Sequence, residues 1–223
     1  MPAISASSNV GWMDIVGVAR SRPFVRVMAA LLVYNLPFAF ACPYYQVFYL
    51  EVLHMPPAWI AVMQAGYFVV RIATAPALGR ASDRLGPRRI CLTMGLLYAG
   101  FLAVYPFGVS GRLWPFILAW AVVGLADASA SVSLLSVLYG AVPNTSARPA
   151  YFLMYNVVML GSFALGGAVA APVLEAFKDY TLHVGRFTFG HFHLLYAFCT
   201  VLMLLCTFAA LLLPGARTGD ERS

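Results

Sequence analysis

Six long stretches of this chain carry almost no charge, and this feature constrains the fold more than any other. They span residues 27 to 50, 58 to 79, 90 to 108, 113 to 141, 149 to 174 and 193 to 213. Each is about as long as the ~20 residues that a helix needs to cross a bilayer. Because lipid offers no hydrogen-bond partners, backbone at that depth is helical or part of a closed barrel. With 62% hydrophobic and 10% charged residues, the chain is predicted to be an all-α integral membrane protein with six transmembrane helices.

The positive charges outside these stretches predict the orientation of the chain. An even number of helices puts both termini on one side of the membrane. Most arginines fall on that side, namely Arg20, Arg22, Arg26, Arg80, Arg84, Arg88, Arg89, Arg148, Arg217 and Arg222. Arg112, Lys178 and Arg186 fall on the other side. Because positive loops stay in the cytoplasm, both termini are predicted to be cytoplasmic.

The same charges bear on partners and location. The formal net charge of +6 is explained by topology and by anionic lipid headgroups, so the bilayer is the expected partner and no nucleic acid is. We expect short cytoplasmic tails at residues 1 to 23 and 214 to 223 around a six-helix domain at 24 to 213. The preference for arginine over lysine is consistent with the inner membrane of a bacterium.

One hydrophilic segment between the second and third stretches spaces glycines and charges in an ordered way. Its residues are Gly79, Asp83, Arg84, Gly86, Arg88 and Arg89. Glycines permit close backbone approach in a tight turn, and arginines hold a turn at one membrane face. The segment resembles the signature loop of the major facilitator superfamily, which joins the second and third helices of a six-helix half. Pro87 stands where that loop usually has a basic residue.

The resemblance covers roughly residues 20 to 213 and implies one six-helix half built as a 3+3 inverted repeat. The stretch from Pro143 to Arg148 resembles the loop that follows the fourth helix of such a half. The family implies a secondary transporter that works by alternating access. In it, Asp83, Arg84 and Arg88 or Arg89 would control conformation by holding the outward-open form; anchoring of the turn at the membrane is the alternative role.

Polar side chains inside the stretches concentrate on the first, second, fourth and fifth. At about 100° per residue, side chains on one helix face recur every three or four residues. The candidate residues for a substrate and coupling cavity are Asn35, Gln46, Tyr49, Gln64, Tyr67, Arg71, Asp127, Ser131 and Asn156. In the family these four helices line the central cavity, whereas the third and sixth stand at the periphery.

Arg71 and Asp127 are the two fully charged side chains inside the stretches. A charge at the centre of a bilayer costs at least ~2.5 kcal/mol, so each needs compensation. One hypothesis is that Arg71 binds an anionic group of the substrate while Asp127 pairs with it or carries a coupling proton. A structural salt bridge between the second and fourth helices is the alternative.

The length of the chain raises the question of pairing, because family members have two six-helix halves. Three explanations stay open: a homodimer, a half that pairs with a separately encoded partner, and a fragment. The segments before the signature turn favour a carboxy-terminal half. The predicted function is proton-coupled transport of a small anionic or amphipathic solute after pairing with a second half, and a non-transporting accessory subunit is the alternative.

No cofactor, metal or catalytic residue is predicted. His183, His191 and His193 lie near the last stretch, but they lack an acidic partner in a metal-binding register. Ser110 before the fourth stretch and these histidines faintly resemble the catalytic pair of rhomboid intramembrane proteases. The histidines precede the sixth stretch instead of lying within it, so an enzyme is not expected.

Overall fold

The described part of the structure contains six helices long and apolar enough to cross a membrane, which confirms the predicted fold class. The structure is a computed structural model that describes residues 17–18, 21–85, 87–109, 111–142, 148–184 and 187–212. The helices are α1 (Arg22–Ala41), α2 (Pro57–Leu85), α3 (Pro87–Val104), α4 (Trp114–Ala141), α5 (Arg148–Ala176) and α6 (His191–Leu212). Two short antiparallel strands, β1 (Leu182–Val184) and β2 (Phe187–Phe189), lie between α5 and α6.

The first span changes its winding part-way along. Beyond Ala41 it continues as a 3-10 turn at Cys42–Tyr44, one α turn at Tyr45–Val47 and a π-helical segment at Phe48–Val52. Pro43 explains the first change, because proline has no N–H to donate and its ring crowds the preceding turn. Each change of winding also changes the direction in which later side chains point.

The turn between α2 and α3 is shorter than the sequence suggested. The second span was expected to end at residue 79, but α2 continues to Leu85 and α3 begins at Pro87. Polar residues end a membrane span without ending a helix, because the backbone hydrogen bonds of a helix can continue where it emerges into water. Proline suits the start of α3, where its missing N–H costs no hydrogen bond. Gly79, Asp83 and Arg84 are therefore helical, and Gly86 lies outside the described residues.

The helix packing shows an internal repeat. α4 packs against α2 and α3, α1 packs against α5 and α6, and α3 packs against α6. Exchanging the first three helices with the last three converts the two pairings of α4 into the two pairings of α1 and leaves the pairing of α3 with α6 unchanged. Because three helices make an odd number of crossings, the second triplet enters the membrane from the opposite side. The arrangement is consistent with the 3+3 inverted repeat that the family resemblance implied.

An aromatic cluster fills the core near the end of the bundle where α3 ends and α4 begins, here called the α3–α4 end. It consists of Tyr45, Tyr49, Tyr105, Trp120 and Tyr196. The rings of Tyr105 and Tyr196 stack with their centroids 4.3 Å apart. Trp120 Nε1 donates a hydrogen bond of 2.6 Å to Tyr49 Oη, which also pairs with the hydroxyl of Tyr105. These contacts join α1, the end of α3, α4 and α6.

Candidate functional site

The site begins where α2 and α4 approach each other closely. A Cβ on Gly124 would lie 2.8 Å from the backbone oxygen of Tyr67, so only glycine fits this contact. The close approach places the side chains of α2 beside Asp127, which lies one turn beyond Gly124 on α4. Tyr67 and Asp127, which are far apart in sequence, are thereby brought into hydrogen-bonding range.

Asp127 is held by two tyrosine hydroxyls. Tyr67 of α2 donates to Oδ2, and Tyr98 of α3 donates to Oδ1. Arg71 Nη1 lies 3.9 Å from Oδ2 but donates its hydrogen bond, of 2.9 Å, to the hydroxyl of Tyr67. The Tyr67 hydroxyl therefore sits between the guanidinium and the carboxylate and bonds to both.

The second arm of Arg71 is also positioned by α4. Arg71 Nη2 donates to Ser131 Oγ at 3.1 Å, and Ser131 Oγ donates to the backbone oxygen of Asp127 at 2.8 Å. The side chain of Arg71 remains 39% exposed, against 23% for Asp127. Arg71 is consequently fixed in direction while part of its side chain stays exposed.

These groups form one wall of a cavity of about 220 Å³. The lining comes from five helices and includes Leu31, Tyr34, Asn35, Phe38, Arg71, Met94, Tyr98, Asp127, Ala130, Ser131, Tyr155, Met159 and Phe163. We call it the central pocket. Polar groups of α2 and α4 form one side, whereas α1, α3 and α5 add mainly aromatic and apolar side chains.

The aromatic cluster separates the central pocket from the α3–α4 end. On α1 the pocket residues Leu31 and Phe38 precede Tyr45 of the cluster, and on α4 Trp120 precedes Asp127. Tyr45 and Tyr49 are 5% and 0% exposed, so packed side chains close this end of the bundle.

Comparison with known proteins identifies the family. The family model of the Major Facilitator Superfamily matches residues 27–223. The chain belongs to the major facilitator superfamily. Comparisons with curated proteins and with solved structures gave no match. The match spans all six helices, which together have the size of one half of a transporter of this superfamily.

The major facilitator fold brings together five of the residues singled out in the sequence. Asn35, Arg71, Asp127 and Ser131 line the central pocket, and Tyr67 bonds to both charges. Asn35 Nδ2 also donates to Ser162 Oγ on α5 at 2.9 Å, which ties α1 to α5.

Four other candidates lie elsewhere. Tyr49 is in the aromatic cluster, and Gln46 is exposed. Asn156 is exposed and donates to the backbone oxygen of Phe152 on its own helix. Gln64 is half-buried but does not line the central pocket.

Sequence reasoning missed Tyr98. It lies on α3, a helix assigned to the periphery, and its ring is only 8% exposed. A signal was present, because a tyrosine hydroxyl at the middle of a span needs a hydrogen-bond partner when it is buried. The apolar pocket residues Phe38 and Phe163 carried no comparable signal, since apolar residues are common throughout the spans.

The signature-turn residues lie at the opposite end of the bundle from the aromatic cluster. Asp83, Arg84 and Arg89 are exposed, and Asp83 forms no ion pair within the part of the chain that the structure describes. The side chain of Arg88 lies outside the described residues. Arg148, at the start of α5, places its guanidinium 5.2 Å from the ring centroid of Tyr139 on α4.

The residues considered for metal binding or proteolysis have other surroundings. His193 Nδ1 accepts from the backbone N–H of Gly190, and Nε2 pairs with the backbone oxygen of Gly108, each at 3.2 Å. Both ring nitrogens of His193 therefore bond to backbone groups, one before α6 and one between α3 and α4. Ser110 and the side chain of His183 lie outside the described residues. Among the described residues, no group of three or more His, Cys, Asp or Glu could hold a metal ion.

Proposed function

We propose that this protein is a proton-coupled secondary transporter for a small anionic or amphipathic solute, and that the central pocket is half of its binding site. The observation that carries the proposal is the setting of Arg71. Its guanidinium donates to two neutral hydroxyls, those of Tyr67 and Ser131, and is 3.9 Å from the nearest carboxylate oxygen. Its positive charge is positioned but not neutralised by a direct hydrogen bond, so a substrate carboxylate or phosphate can pair with it.

The opposite wall of the pocket suits the apolar part of such a solute. Phe38, Tyr98 and Phe163 lie together, with ring centroids 5.0 Å apart for Phe38 and Tyr98 and 6.1 Å apart for Phe38 and Phe163. A pocket with a few positioned polar groups and an aromatic wall is typical of a small-molecule site.

Asp127 is the proposed proton carrier. In its charged form it accepts hydrogen bonds from Tyr67 and Tyr98, one on each oxygen. A proton on either oxygen makes that oxygen a donor, so the tyrosine hydroxyl bonded to it must redirect its own proton. If that hydroxyl belongs to Tyr67, its hydrogen bond with Arg71 changes too. Protonation of Asp127 and anion binding at Arg71 are thereby linked through a single hydroxyl.

The exposed faces of α2 and α5 support pairing with a second six-helix half, either another copy or a separate partner. Ile72 follows Arg71 on α2 and is 72% exposed, and Leu160 follows the pocket residue Met159 on α5 and is 71% exposed. A lone half in lipid would leave Arg71 and Asp127 beside hydrocarbon, which is costly. A second half would enclose them in a shared aqueous cavity.

The distribution of arginines gives the proposed orientation of the bundle in the membrane. With both termini in the cytoplasm of a bacterial inner membrane, the aromatic cluster faces outward and closes the pocket on that side. Asp83, Arg84, Arg88 and Arg89 then lie at the cytoplasmic face, where they would contact the second half and control the change of access.

Uptake into proteoliposomes tests the proposal. A panel of radiolabelled carboxylates and phosphate esters is offered to the purified chain, with and without an imposed proton gradient. We expect Arg71→Gln to weaken uptake of the transported anion by about 10- to 100-fold, the worth of a hydrogen bond to a charged group. Arg71→Lys should retain part of this uptake. Asp127→Asn should abolish the dependence of uptake on the proton gradient.

Arg26→Gln is the matched control, because Arg26 lies on α1 but is exposed and outside the central pocket. Flux that survives Arg71→Gln unchanged contradicts the binding role, and gradient dependence that survives Asp127→Asn contradicts the coupling role. No flux for any anion of the panel, from a correctly folded chain, favours a non-transporting accessory subunit.

A further inference from the structure

A second cavity opens at the α3–α4 end of the bundle, away from the central pocket. It measures about 350 Å³ and lies between the last turns of α3 and the start of α4. Its lining includes Gly100, Val104, Phe107, Arg112, Trp114 and Phe116. None of these residues lines the central pocket, so the groove is independent of the proposed transport site.

The floor of this groove has room for a hydrocarbon chain. A Cβ on Gly100 would meet no atom within 4 Å, and Gly100 is exposed. Val104 continues the floor toward the α3–α4 end, and Phe116, only 1% exposed, closes its base. All of these surfaces are apolar, and they run along helices that cross the membrane.

The mouth of the groove carries a cation and two exposed aromatic side chains. Phe107 is 69% exposed and Trp114 is 65% exposed, and tryptophan is enriched at the level of lipid headgroups. Arg112 is exposed beside them and forms no ion pair with any other described residue. The groove therefore combines an apolar floor with an available positive charge at its mouth.

We infer that this groove binds an anionic phospholipid, with Arg112 pairing with the negatively charged headgroup and one acyl chain lying along Gly100 and Val104. Charge complementarity selects the headgroup, because a basic residue near the membrane surface favours anionic lipid. The apolar floor selects a lipid over a free anion, which would leave that surface uncovered. This inference does not depend on the transport function.

Tryptophan quenching by brominated lipids tests the site directly. Trp12, Trp59 and Trp120 are replaced by Phe, so that Trp114 alone reports in bilayers containing dibrominated phosphatidylglycerol or dibrominated phosphatidylcholine. We expect Trp114 to show about a fivefold preference for the anionic lipid, the effect of one basic residue at the surface. Arg112→Gln should reduce that preference to none.

A variant that keeps Trp59 as its single tryptophan is the matched control. Trp59 is 45% exposed near the start of α2, at the same end of the bundle. The sequence has no Arg or Lys between Arg26 and Arg71. Trp59 should therefore be quenched equally by both lipids. Equal quenching of Trp114, or a preference that survives Arg112→Gln, overturns the inference.

Two further measurements keep the test decisive. Inorganic phosphate added at millimolar concentration should leave the lipid preference of Trp114 unchanged. Loss of that preference would show a site for free phosphate instead. If replacing Trp120 unfolds the chain, lipids that co-purify with the protein are compared between the unaltered chain and Arg112→Gln, with Arg26→Gln as control. Equal retention of phosphatidylglycerol in all three proteins also overturns the inference.

Discussion

At the scale of single residues, the Tyr67 hydroxyl decides how the two charges of the membrane domain interact. It accepts a hydrogen bond from Arg71 and donates one to Asp127. The sequence identified both charges and left open whether they form a direct salt bridge. The structure shows an ion pair at 3.9 Å that is bridged by a phenol, an arrangement that depends on where three side chains from two helices meet.

A pair of Tyr→Phe variants tests this bridge. We expect Tyr67→Phe and Tyr98→Phe each to lower the free energy of unfolding by about 0.5–2 kcal/mol, because each removes one hydrogen bond inside the membrane. In double-mutant cycles with Arg71→Gln, Tyr67 should couple to Arg71 by more than about 0.5 kcal/mol, whereas Tyr98 should be nearly additive. The measurement is reversible unfolding in mixed micelles.

Tyr98 is the matched control in this cycle, since it bonds to the same carboxylate but not to Arg71. Equal coupling of the two tyrosines to Arg71 would mean that Asp127 alone transmits the interaction, and the bridging role of Tyr67 would be rejected.

At the scale of helices, a close contact of α1 with α5 depends on one glycine. A Cβ on Gly166 would lie 2.7 Å from the backbone carbon and oxygen of Ala39. Nearby, Tyr44 Oη donates a hydrogen bond of 2.9 Å to the backbone oxygen of Gly167. The contact lies where the first span begins to change its winding, so it fixes the position of that change against α5.

Gly166→Ala is expected to destabilise the protein by about 1–3 kcal/mol, because the new methyl group meets backbone that cannot turn aside. Gly161→Ala on the same helix is the matched control, since a Cβ there would meet no atom within 4 Å. That control should be neutral or stabilising by up to about 1 kcal/mol from helix propensity. Unfolding of both variants in mixed micelles gives the comparison, and equal effects would contradict the close contact.

At the scale of the whole molecule, a partly polar pocket lies within a bundle of apolar spans. Ala130 lines the central pocket, whereas its neighbour Ser129 is 0% exposed. In a background without native cysteines, we expect a charged, membrane-impermeant thiol reagent to label Ala130→Cys at least tenfold faster than Ser129→Cys. Equal protection of both cysteines, from either side of the membrane, would contradict a water-filled pocket.

Pairing is tested by the mass of the purified particle. If two copies complete the cavity, light scattering of the detergent-solubilised protein, corrected for bound detergent, should give twice the 24.2 kDa of one chain. A single chain that nevertheless transports in proteoliposomes would contradict the need for a second half. A single chain that becomes active only with another six-helix protein would favour a separate partner over a homodimer.

The sequence by itself determined the membrane class, the six spans, the family resemblance and the two charges at mid-span. These features follow from length, hydropathy and local spacing, which do not depend on how the helices pack. The end of α2 at Leu85 could not be predicted in this way, because the hydropathy that marks the end of a span does not mark the end of a helix. Helical periodicity likewise gave no account of the surroundings of Gln46 and Tyr49, because the first span leaves regular α-helical winding beyond Ala41.

Only the tertiary structure decided which polar residues meet. Gly124 permits the close approach of α2 to α4, and the packing of α3 against α4 places the Tyr98 hydroxyl in hydrogen-bonding range of Asp127. The same packing leaves Arg112 beside an apolar groove that no local pattern marks. Hydrogen bonds and cavities depend on distances of a few ångströms between segments that are far apart in the chain. Those distances are set by how the helices pack, and helix packing cannot be inferred from any single segment.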